Sequence, residues 1–165
     1  MGPVEAGYSP GWLVRATGIT AGLGGMLTLG VALLVCTSVL GRWLADRPID
    51  GDFELVKIAT GIAVFAYLPY TQARRGNITV DTFTSWLPRR VQAWIDALWD
   101  LVYAGIMAVL AVGLAIGASE ASASGEATMQ LQLIVWPVIA LCALLAFILV
   151  GTALVTAWSL VGRRP

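Results

Sequence analysis

Histidine is absent from this 165-residue chain. That excludes bis-histidine haem anchors, histidine metal sites and histidine proton relays. Cysteine is scarce: Cys36 and Cys142 are the only two. They lie far apart in apolar surroundings with no Cys-x-x-Cys, which argues against a thiol oxidoreductase, and they read as small buried hydrophobes. Charge is scarce as well. Only 12% of residues are charged, against about a quarter in an ordinary soluble domain. The formal net charge is zero, so bulk electrostatics points to neither nucleic acid nor an acidic partner.

Apolar residues make up 58% of the chain, and the charges leave long gaps. None falls between Arg15 and Arg42, between Lys57 and Arg74, between Asp100 and Glu120, or between Glu126 and Arg163. A helix needs about twenty apolar residues to cross the hydrocarbon core. The four gaps therefore predict a single integral membrane domain, all-α, over residues 1–165, with spans near residues 17–40, 53–71, 98–118 and 131–155. The first apolar run continues to Gly41, too long for the core of a signal peptide, and is read as a span. A buried soluble core would leave almost no polar surface to cover it.

In the first span, Gly18-x-x-x-Gly22 allows close approach of another helix, and Gly113-x-x-x-Gly117 does the same in the third. The second span opens on Glu54 and Lys57, three residues apart on one helix face and able to pair. Two readings stay open for them: side chains snorkelling into the headgroup layer, or an anchor within the helix or between subunits. Pro69 is expected to kink or end that helix, with Tyr67 and Tyr70 at the interface. Between the second and third spans, Val80, Phe83, Trp86 and Leu87, then Val91, Trp94, Ile95, Leu98 and Trp99, recur at helical spacing. They predict an amphipathic interfacial helix near residues 81–96, with Trp86, Trp94 and Trp99 as anchors at headgroup depth.

The arginines predict the orientation. With the N-terminus in the cytoplasm, the cytoplasmic segments hold Arg15, Arg74, Arg75, Arg89, Arg90, Arg163 and Arg164, and the outer loops hold Arg42 and Arg47. Seven against two predicts cytoplasmic N- and C-termini by the positive-inside rule. No ionisable residue sits at mid-membrane and no pair of broken helices marks a transport site. The pattern favours a small subunit of something larger, neither an enzyme nor a self-sufficient pump, and it implies no metal or cofactor. Two other classes remain: a four-helix membrane anchor of a redox enzyme, opposed by the missing histidines, and a homo-oligomeric small exporter, which wants a more deeply embedded acid than Glu54.

Arg42-Trp43, then Asp52-Phe53-Glu54-Leu55-Val56-Lys57, then Arg74-Arg75-Gly76-Asn77-Ile78-Thr79-Val80-Asp81, then Leu87-Pro88, resemble the small membrane subunit of tripartite ATP-independent periplasmic (TRAP) transporters. The motifs match over residues 42–90 and the four-span plan over the whole chain. Two departures stand out. Asn77 occupies a position where the family usually has histidine, so an imidazole is not needed there, and the fourth span keeps Pro137 without a second proline further along.

The resemblance implies a bacterial inner-membrane scaffold for a large subunit that carries substrate and sodium ions. A periplasmic binding protein would deliver the substrate, commonly an organic acid, and lipids would be the other partners. Arg42, Glu54 and Lys57 are expected to form a rim cluster that fixes the first two helices or meets the partner. Arg74, Arg75, Asn77 and Asp81 are expected to fix the cytoplasmic turn. Asp46, Asp50, Asp52, Glu120 and Glu126 are the expected docking surface for the binding protein.

Overall fold

The structure is a computed structural model that describes residues 9–47, 49–74 and 88–162. Among them are four helices and no strands: α1 (Gly11–Ala45), α2 (Asp52–Ala73), α3 (Arg89–Ser124) and α4 (Trp136–Gly162). All four are long and apolar enough to cross a membrane. At about 1.5 Å per residue, the 35 residues of α1 and the 36 of α3 exceed the roughly 30 Å hydrocarbon core. These two helices must tilt or project beyond it.

The helices pack as a row in the order α1, α2, α4, α3. Among the described residues α1 leans chiefly on α2, and α4 is held between α2 and α3. In lipid, water drives no association between helices, so close backbone approach has to supply the contact. Between α1 and α2 that approach is at Gly24, where an added Cβ would lie 3.0 Å from Ala66 Cβ. Ala63, Ala66, Pro69 and Ala73 form the buried stripe of α2. Gly18 lies against the Tyr70 ring, whereas nothing comes within 4 Å of a Cβ at Gly22, Gly113 or Gly117.

Between α3 and α4 the contact is built on alanine. Ala97, Ala104, Ala111 and Ala118 recur every seven residues and are all buried. A seven-residue repeat keeps one seam facing its neighbour. The buried residues of α4 include Ala146, Leu149 and Ala153, with Thr152 and Thr156. The two buried hydroxyls donate to carbonyls one turn back, Thr152 to Ile148 and Thr156 to Thr152, so neither is left without an acceptor.

Two details differ from the sequence pattern. α2 runs through Pro69 to Ala73 and does not end there. Residues 89–96 of the amphipathic stretch are the first turns of α3, continuous with the rest of that helix. Residues 81–87, including Trp86, lie outside the described residues. Trp94 and Trp99 are exposed.

Candidate functional site

The first and third loops meet at one end of the row. α1 ends with Asp46 in the left-handed region at φ 52°. The turn back is tight, since Arg47 donates its N–H to the Gly41 carbonyl. α2 starts at Gly51, whose φ of +74° suits glycine. Ser38, buried on α1, donates to Asp52 Oδ2 and receives the Ile49 N–H, so one hydroxyl ties α1 to the loop and to α2. The Arg42 guanidinium attracts the same carboxylate, while its side chain stays exposed.

The third loop is a small hairpin. Ala127 and Ile134 form an antiparallel bridge, and Thr128 N–H donates to the Leu133 carbonyl at 2.9 Å. Glu54, in the first turn of α2, reaches across to it. Its Oε1 accepts the Gln130 N–H at 2.8 Å and its Oε2 the Leu131 N–H at 3.0 Å. The Thr128 hydroxyl and the Met129 N–H also face the carboxylate. Successive backbone donors turned toward one anion form a concave nest. The Leu131 side chain lies directly over Gly51. The hairpin is thus fixed to α2 by a carboxylate and by an apolar contact one turn apart.

Glu54 therefore does not spend its oxygens on Lys57. Among the described residues no ion pair joins them, and Lys57 is exposed. The physical reason is that an exposed i, i+3 ion pair is weak, whereas hydrogen bonds accepted by a carboxylate from backbone donors are among the stronger ones. The expected rim cluster is divided accordingly. Arg42 goes with Asp52 and Ser38, Glu54 goes with the hairpin, and Lys57 stands apart. Asp46 and Asp50 are exposed in the first loop, Glu126 is exposed in the hairpin, and Glu120 is exposed near the end of α3. The row brings all of them, with Asp52, to the same end.

At the opposite end, Gln72 donates to Asp100 Oδ1 at 3.0 Å, linking α2 to α3. Ser9 donates to the Ala73 carbonyl, and the Arg74 guanidinium lies 5.3 Å from the centre of the Tyr70 ring. Arg75, Asn77 and Asp81 lie outside the described residues. Among the described residues no group of acids and cysteines has the arrangement of a metal site.

The family model for tripartite ATP-independent periplasmic transporters, DctQ component, matches residues 31–163. The chain belongs to this family. The match takes in the second half of α1 and all of α2, α3 and α4. Neither the curated proteins nor the solved structures give a match. A DctQ component is part of a transporter and not an enzyme. Its four spans and its family make this chain a multi-pass inner-membrane protein and the small subunit of a TRAP transporter. Sequence reading missed Ser38, Gln130 and Leu131 of this DctQ component and gave Gly51 only as a turn residue. A signal was present only for Gly51, in the Asp50-Gly51 pair of a turn.

Proposed function

We propose that this DctQ component is a scaffold for the large TRAP membrane subunit, which carries substrate and sodium ions in binding-protein-dependent uptake of an organic acid. The observation that carries this reading is the open helix row. Among the described residues α1 packs chiefly on α2, and Ile19, Leu23, Met26, Leu29 and Leu33 remain exposed along it. Apolar surface of that extent suits both lipid and a larger membrane partner. No ionisable cluster lies at mid-membrane to move an ion by itself.

The N- and C-termini face the cytoplasm in this reading, which the balance of seven arginines against two favours. The Glu54-held hairpin and the acids Asp46, Asp50, Asp52, Glu120 and Glu126 then face the periplasm and offer the binding protein a surface with a fixed shape. The rigid row is the part against which the large subunit moves.

Reconstitution tests the reading. Vesicles holding the large subunit and supplied with binding protein are expected to take up an organic acid in a sodium gradient only when this chain is present. Equal uptake without it would overturn the scaffold role. Uptake by this chain alone would favour a small exporter.

A further inference from the structure

Away from the hairpin, the other end of the α1–α2 pair carries two arginines and two aromatic rings. The Tyr70 ring is held from both sides. Gly18 of α1 lies against one edge, with its Cβ position 3.7 Å from Cε2, and the Arg74 guanidinium lies over the ring at 5.3 Å. Arg15 is one turn before Gly18 on α1, and Arg74 caps the C-terminal end of α2 one turn after Tyr70. The helices run antiparallel, so both arginines lie beyond the Gly18–Tyr70 contact in the same direction. Trp12, exposed, is a further turn along α1. The bond from Ser9 to the Ala73 carbonyl holds the start of α1 beside the end of α2.

Both arginines are exposed, and among the described residues neither makes an ion pair. Among the described residues the acids at this end are Asp96 and Asp100 of α3, the helix that packs on α4. Asp100 receives Gln72. Gln72 and Arg74 are two residues apart, so they point to nearly opposite sides of α2. The positive charge on the α1 side of α2 thus meets no acid among the described residues. A stacked guanidinium is partly pre-organised, and its fork matches phosphate geometry. Tyr and Trp are the rings that settle at headgroup depth.

We propose that Arg15, Tyr70 and Arg74, flanked by Trp12, bind the phosphate of an anionic lipid headgroup. A zwitterionic lipid offers the same phosphate with its charge cancelled, and free phosphate offers the charge without the acyl chains that lie along α1 and α2. The anionic lipid satisfies both the arginines and the apolar surface beside them. This site does not depend on the transport role.

Native mass spectrometry of the full chain in mild detergent, titrated with phosphatidylglycerol, phosphatidylcholine or inorganic phosphate, tests the proposal. The expected result is one phosphatidylglycerol retained in preference to phosphatidylcholine. R74A is expected to weaken it about fivefold, and R15A/R74A about twenty-five-fold, as the usual gain per basic residue near an anionic surface implies. Y70A weakens binding and Y70F does not. R42A, at the opposite end, leaves it unchanged. R15Q/R74Q serves in place of the alanine pair if that pair aggregates. Equal retention of the two lipids, undiminished binding by the double variant, or displacement of the lipid by equimolar inorganic phosphate would overturn the proposal.

Discussion

The Leu131 side chain occupies the space that a Cβ on Gly51 would need. Its Cγ lies 2.3 Å from that position, and both δ carbons lie within 2.8 Å. Gly51 also has φ +74°. Steric access and backbone conformation thus make the same demand on this residue, which is the first contact between the α1–α2 turn and the α3–α4 hairpin.

Gly51→Ala is therefore expected to destabilise the protein twice over. The left-handed conformation costs a non-glycine residue about 1–2 kcal/mol, and the collision with Leu131 adds to it. Thermal unfolding of the detergent-solubilised chain measures the sum. Adding Leu131→Ala to the Gly51→Ala variant is expected to relieve the collision while leaving the conformational cost.

Glu54→Ala is expected to free the hairpin. Hydrogen exchange at the Gln130 and Leu131 amides reads this directly, because both protons are held by the carboxylate. Exchange rises several-fold in the alanine variant and less in Glu54→Gln, which keeps one acceptor oxygen. Lys57→Ala leaves these amides unchanged. An effect of Lys57→Ala equal to that of Glu54→Ala would show that the two residues act as a pair.

The α3–α4 seam is expected to resist enlargement. Ala111 is 0% exposed, and Ala111→Leu forces extra volume into a packed contact at a cost of about 1–3 kcal/mol. Leu149 is equally buried, and Leu149→Ala removes about 2–5 kcal/mol. Gly113→Ala, with open space around the new methyl group, is expected to be neutral or mildly stabilising. Melting temperatures of the three variants give the comparison.

Close packing of α1 on α2 is expected to depend on Gly24 and not on Gly22. Gly24→Leu drives a side chain into Ala66 and the Ala63 carbonyl, whereas nothing lies within 4 Å of a Cβ at Gly22. Proteolysis in the first loop separates the two: faster cleavage in the Gly24 variant, and no change in the Gly22 variant.

These contrasts mark where the sequence was readable. Four helices follow from four charge-free stretches, because apolar length is a local property that the bilayer demands of each span. Helix order is not local, and nothing in the periodicity of α2 says that its neighbours are α1 and α4. Gly22, Gly113 and Gly117 stand at the spacing of a packing face but have open space around them. The alanine repeat from Ala97 to Ala118, which marks the seam with α4, does not stand out in the sequence because alanine is no more apolar than its neighbours in the span. Glu54 was legible as a residue of consequence. Its partners were not, because the donors are backbone N–H groups more than seventy positions away, at residues whose side chains play no part in the bond.

The central claim, that this DctQ component is a subunit supporting a larger transporter, is tested most directly by purification from native membranes in mild detergent, followed by mass spectrometry. The prediction is co-purification of a much larger multi-span membrane protein in about equal amount. Recovery of the chain only with copies of itself would contradict the account.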